Sequence, residues 1–164
     1  MPAGKRKDLI FSLFLLFLFI CVLSVDRYSK SYILNKLSPL QSRPIIKGIF
    51  HLTLVYNTGA AFGLFKDNNF ILIILSLAAV FLLIRYFKDT PLNRSFKVAF
   101  VLISAGAVGN LIDRISFGYV VDFLDFRIWP VFNLADTSIS CGIIIMLYSL
   151  LLKKEKDVPT YFKG

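Results

Sequence analysis

The stretch Leu9–Val25 runs seventeen residues without a charged side chain, and three more apolar runs follow at Phe70–Ile84, Val98–Ile112 and Val131–Leu152. A helix rises ~1.5 Å per residue and a hydrocarbon core is ~30 Å thick, so runs of this length cross most or all of a bilayer. The two shorter runs need their flanks to complete the crossing. A water-soluble chain of 164 residues has too few polar groups to cover so much apolar surface: 57% of it is hydrophobic, 18% is charged, and the mean hydropathy is +0.71. Lipid is the expected solvent. The expected fold is an all-α membrane protein, a single integral domain over residues 1–164, with spans near 9–34, 70–87, 98–114 and 131–152. Disordered, disulfide-scaffold and collagen-like classes are excluded on composition.

Net charge is +9, a value that could suggest nucleic acid, but its distribution argues for topology. Eleven of the 19 basic residues lie in three segments: Lys5, Arg6 and Lys7; Arg85, Lys88, Arg94 and Lys97; Lys153, Lys154, Lys156 and Lys163. Each segment borders an apolar run, as cytoplasmic flanks of membrane helices do. A phosphate-tracking surface needs a contiguous basic face with interleaved aromatics, so no nucleic-acid partner is expected. Both termini and the loop 88–97 are assigned to the cytoplasm, and the loops 37–69 and 115–130 to the outside. The first run is long for a signal peptide and no small-x-small cleavage site follows it, so it is expected to stay attached.

Cys21 and Cys141 both fall inside apolar runs, where small packing residues are expected rather than a disulfide. With them and the single histidine, His51, no metal site can be assembled, and no cofactor is expected. In the first outer loop, Ile49–Val55 alternates weakly like a strand. Pro39 and Pro44 are expected to break any regular element in 37–48. The loop ends in Asn57-Thr58-Gly59-Ala60-Ala61-Phe62-Gly63, where Gly and Asn permit a turn. A small β-like cradle outside the membrane and a short interfacial segment complete the expected fold. In the third run, Ala105, Gly106, Ala107 and Gly109 allow close helix packing.

Nine of the ten acids are aspartates, and five of them lie in or beside the apolar runs: Asp26, Asp113, Asp122, Asp125 and Asp136. A carboxylate in lipid costs several kcal/mol unless paired, solvated or protonated, so each one marks a functional hypothesis. Asp26 has Lys30 four residues on, a helical ion pair. Asn110, Asp113 and Arg114 share a face at the end of the third run, where Asp113 and Arg114 are expected to neutralise one another. Asn133 and Asp136 share a face near the start of the fourth. Asp125, beside Arg127, reads as an interfacial surface charge. Asp122 and Asp136 have no cation nearby, so each must find its partner across the fold.

Two apposed carboxylic acids share a proton and their pKa values split. The ionised member can then take a proton from an attacking water while the protonated one polarises a carbonyl. That is aspartyl protease chemistry. No Gly-x-Ser-x-Gly elbow, phosphate-binding loop or His-rich zinc motif offers another route. A small transporter or proton channel would also carry intramembrane aspartates, but should show polar residues through the full depth of the bilayer, which Phe70–Ile84 and Ile143–Leu152 lack. A non-catalytic scaffold is the other alternative.

Five blocks in order, Asp26-Arg27-Tyr28-Ser29-Lys30, Asn57 to Gly63, Gly109-Asn110-Leu111-Ile112-Asp113-Arg114, Val120-Val121-Asp122-Phe123 and Phe132-Asn133-Leu134-Ala135-Asp136, give the chain its kinship. It resembles the bacterial lipoprotein signal peptidases (signal peptidase II) along nearly its whole length. The resemblance implies that Asp122 and Asp136 are the catalytic pair. It implies polar, substrate-binding roles for Asn57, Gly59, Asn110, Arg114 and Asn133, and structural support from Asp26, Lys30 and Asp113. It further implies cleavage of diacylglyceryl-modified prolipoproteins just before the lipidated cysteine. The Gly/Ala-rich part of the outer loop would cover the site, and membrane lipids would surround the protein in the bacterial inner membrane.

Overall fold

The computed structural model describes residues 3–59, 64–89 and 93–156. Helices α1 (Ala3–Lys36), α2 (Asn69–Asp89), α3 (Arg94–Phe117) and α4 (Leu134–Lys156) carry the four apolar runs. Segments 4–36, 94–117 and 134–151 are long and apolar enough to cross a membrane, and the apolar part of α2 is shorter, Asn69–Arg85. Leu13, Phe17 and Ile20 of α1 stand more than half exposed, the pattern of a helix solvated by lipid.

Strands β1 (Ser42–Ile46), β2 (Phe50–Asn57) and β3 (Val120–Asp125) form one antiparallel sheet in the order β1-β2-β3. The sheet joins the C-terminal ends of α1 and α3 to the N-terminal ends of α2 and α4, so it caps one end of the helices. The strand expected around Ile49–Val55 is β2. The expectation that Pro39 and Pro44 break regular structure is corrected, because Pro44 lies inside β1. It is tolerated there since β1 is an edge strand and the register slips between Pro44 and Ile46, so the missing N–H interrupts no continuous ladder. The second outer loop likewise contains a strand, β3, paired with β2 from Asn57↔Val120 to His51↔Asp125. Beneath the sheet, Ile33, Leu54, Val121 and Phe123 form a small core.

Helix α3 packs on α1, α2 and α4. A Cβ at Gly106 would sit 2.4 Å from the Ala135 carbonyl oxygen, and one at Gly142 would sit 2.8 Å from that of Ala99. The α3–α4 seam therefore requires bare backbone on both helices. Gly118 ends α3 in a left-handed conformation (φ 81°), donating its N–H to the Arg114 carbonyl. A glycine takes this φ without strain and turns the chain back into β3. Residues 60–63, the Gly/Ala-rich part of the outer loop, lie outside the described residues, as do 90–92 of the loop 88–97 and Lys163.

Candidate active site

Alternation along β3 aims its side chains. Val121 and Phe123 enter the core, so Val120 and Asp122 face the other way, into a cavity of about 770 Å³. Asn57 and Gly59 at the end of β2, Asn110 and Arg114 of α3 and Asp136 of α4 also line it. After β3 the chain turns at 126–131 and returns as Phe132, whose backbone pairs with Leu124. This return explains why α4 begins at Leu134 rather than at the expected 131. It delivers Asn133 to the N-cap of α4, where its Oδ1 accepts from the Asp136 N–H at 2.9 Å and its own N–H donates to Asp136 Oδ2 at 3.2 Å. The pair forms a reciprocal cap and fixes Asp136 in the first helical turn.

One hydrogen-bonded chain joins the two aspartates. Asn57 Nδ2 donates to Asp122 Oδ2 (2.8 Å) and Asn133 Nδ2 to Asp122 Oδ1 (2.6 Å). Asn133 Nδ2 also lies 3.1 Å from Asn110 Oδ1, and Asn110 Nδ2 donates to Asp136 Oδ1 (2.8 Å). Burial pushes Asp122 up to about 7, and the charge of Asp136 adds to the shift. The Asn57 and Asn133 amides and the charge of Lys30 pull the other way without cancelling it. Asp122 therefore titrates where one acid of a pair must hold a proton and the other release it.

A second layer lies behind this chain. Lys30 Nζ donates to Asn110 Oδ1 and sits 2.9 Å from both Asp26 Oδ2 and Asp113 Oδ2. Arg27 pairs with Asp113 Oδ1. Asp26, Lys30 and Asp113 are each at most 1% exposed, so two cations face two acids where an unmatched charge would be costly. The acids also hold backbone: Asp113 Oδ2 accepts from Val121 N (3.2 Å) and Asp26 Oδ1 from Ala135 N (3.0 Å). These two amides belong to the residues just before Asp122 and Asp136.

The expected Asp26–Lys30 pair is present, whereas the expected Asp113–Arg114 neutralisation is corrected. Adjacent helical residues point about 100° apart, so Asp113 turns inward to Lys30 and Arg27. Arg114 turns to the cavity, and its Nη2 donates to the Gly59 carbonyl at 3.1 Å. Asp125 is also corrected from a surface charge to a buried one, accepting from the Thr53 hydroxyl at 2.6 Å and from Arg127. Arg27 escaped the sequence reading. Its role becomes visible only once Asp113 is seen to face away from Arg114, which leaves Asp26 and Asp113 to share Lys30. His51 lies off the site, bonded to Ser42.

The sequence model of the family described as Signal peptidase (SPase) II matches residues 18–152. The chain belongs to the signal peptidase II family. Among its relatives, the lipoprotein signal peptidase of Moorella thermoacetica is 44% identical over 138 residues, covering 84% of this chain and 92% of the relative. That of Halothermothrix orenii is 44% identical over 129 residues, 79% of this chain and 89% of the relative. A solved bacterial membrane enzyme, determined by the in meso method at 2.3 Å resolution, superposes with a TM-score of 0.83 at 31% identity, over 88% of this chain and 91% of that one. Signal peptidase II is an aspartic peptidase family of bacterial membranes, and the helical bundle with its small sheet is the fold of that enzyme.

Proposed function

We propose that this signal peptidase II cuts diacylglyceryl-modified prolipoproteins just before the lipidated cysteine, using Asp122 and Asp136 as a water-activating pair. Removal of the signal peptide from prolipoproteins is the activity of the family to which the chain belongs. The single observation that carries the assignment of the pair is the hydrogen-bonded chain through Asn133 and Asn110, which ties both acids to one cavity.

Asp136, in the first turn of α4 at its positive end, is assigned as the carboxylate of the resting pair. Asp122, titrating near neutrality in its buried place, holds the proton. A water between them gives a proton to Asp136 as its oxygen attacks the scissile carbonyl carbon. Asp122 meanwhile donates to the carbonyl oxygen, giving a neutral tetrahedral diol. Collapse breaks the C–N bond, the amine leaves with a proton from Asp136, and Asp122 recovers its own from the diol. No covalent enzyme intermediate forms.

Asn57, Gly59, Asn110, Arg114 and Asn133 are assigned to holding the substrate. The guanidinium of Arg114 has donors to offer a peptide backbone, since its Nε is buried without a hydrogen-bond partner. Asp26, Lys30 and Asp113 position β3 and the first turn of α4 from behind. The basic segments assign both termini to the cytoplasm and therefore the cavity to the outer leaflet, where a lipid-anchored cysteine holds its preceding peptide bond. Membrane lipids surround the single domain, and no nucleic acid takes part. A channel reading is not favoured, because α2 from Phe70 to Ile84 has no ionisable group for a relay.

The test is incubation of the purified full-length enzyme in detergent with a diacylglyceryl-modified prolipoprotein, wild type against Asp136→Asn, read by gel shift. Wild type should release the signal peptide, and the variant should leave the precursor intact. Cleavage by the variant at the wild-type rate would refute the pair.

A further inference from the structure

A second cavity, of about 390 Å³, opens between the end of α1 and strand β1. Its walls are apolar, from Ile33, Leu37 and Ile45, and its rim carries Tyr32, Lys36 and Arg43 with no acidic side chain. Neither cation takes part in an ion pair among the described residues; Lys36 only rests over the Tyr32 ring, 6.0 Å from its centre. Two cations left unmatched over an apolar groove ask for an anion with an apolar tail.

The approach to the groove says where that anion lies. Tyr28, Tyr32 and Lys36 are spaced four residues apart on α1, which places them along one helical stripe. Tyr28 is 75% exposed and Tyr32 51% exposed, as tyrosines are in the aromatic belt at a membrane interface. Lys36 is one turn further out, at the depth of headgroup phosphates. Beside the groove, Ile45, Ile46 and Ile49 are each more than half exposed, so the edge of the sheet is itself apolar. We propose that this groove binds an anionic phospholipid, its phosphate between Lys36 and Arg43 and an acyl chain along the Tyr28–Tyr32 stripe. The lipid so held ties β1 to α1. The site is separate from the catalytic cavity, with which it shares no lining residue. It rests on the orientation proposed above only for which leaflet supplies the lipid, and binding in detergent tests it whichever leaflet that is.

The experiment uses the full-length, delipidated enzyme in detergent, with phosphatidylglycerol, phosphatidylcholine of the same acyl chains, or inorganic phosphate added. Bound lipid is counted by native mass spectrometry and the unfolding midpoint is followed in parallel. A juxtamembrane cation contributes about 1 kcal/mol toward an anionic lipid, so the pair corresponds to about a thirtyfold preference for phosphatidylglycerol. The double variant Lys36→Gln, Arg43→Gln should lose that increment, and each single variant about fivefold of it. The single variants decide the matter should the double one fail to fold. An undiminished preference in these variants overturns the site. An equal midpoint gain from inorganic phosphate would reassign the groove to free anions and overturn the lipid reading.

Discussion

Asp122 gathers the main conflict of the molecule into one carboxyl group. Its folded-state pKa, about 7, lies above the ordinary 3.8. The folded protein thus holds this proton more tightly than the unfolded chain. The stability it contributes is full below about pH 4 and is lost as the pH rises through about 7. Thermal unfolding in detergent should show that decline in the wild type and a shallower one in Asp122→Asn, which should also be inactive. In the wild type, kcat/KM should fall on the alkaline side with a midpoint near 7, since deprotonating Asp122 leaves two charged acids and no donor for the carbonyl. Asn133→Ala removes a helix cap worth ~1 kcal/mol. It also removes the amide that joins Asp122 to Asn110, so turnover should fall on the order of a hundredfold while the unfolding midpoint moves by a few degrees. Asp122 and Asp136 were legible in the sequence because a carboxylate without a local cation in an apolar stretch calls for a distant partner. Asp125 was misread for the converse reason: Arg127 stood beside it, and the Thr53 hydroxyl that helps to bury it lies 72 positions away.

Helix α3 is built around absences. At Gly109 an added Cβ would lie 2.7 Å from Asp26 Oδ2, and at Gly106 it would meet the Ala135 carbonyl oxygen at 2.4 Å. The two glycines predict different outcomes for the same change. In Gly106→Ala the obstacle is backbone of α4, which cannot yield locally, so a large loss of folded protein is expected on size-exclusion chromatography. In Gly109→Ala the obstacle is a carboxylate, which can swing away from Ala135 N. The enzyme should fold but lose activity, as a lower kcat with little change in KM. The small residues Ala105, Gly106, Ala107 and Gly109 made this seam legible, because apolar helices approach closely only where side chains are missing. The sheet was less so. β2 finds β3 across more than sixty residues of intervening chain. One face of β3 lines the cavity that holds both acids, so its alternation places an aspartate where a soluble sheet would carry a surface side chain. Pro44 added a contrary signal that an edge strand can ignore.

Across the whole fold, Arg27, Lys30, Asp26 and Asp113 bind α1 to α3, to β3 and to the first turn of α4, the elements that carry the proposed pair. Lys30→Met leaves two buried acids with Arg27 alone. Removing one partner from such a cluster costs ~3–5 kcal/mol, enough to lower the unfolding midpoint by roughly 6–20 degrees or prevent folding. Arg27→Gln should do less, because Lys30 still faces both acids and Arg27 is partly exposed; a midpoint drop larger than that of Lys30→Met would reverse the ranking of the two cations. The tetrad also bears on assembly. Val121 N and Ala135 N have their acceptors on different helices, Asp113 of α3 and Asp26 of α1, and one ammonium touches both acceptors. The Ala135 amide gains its acceptor only when α1 docks, whereas Val121 is held by α3 itself and leans on α1 through the two cations that face Asp113. A chain whose α1 has not met α3 and α4 therefore lacks the anchor behind Asp136 and both cations of Asp113, so full activity is expected only after the helices have come together.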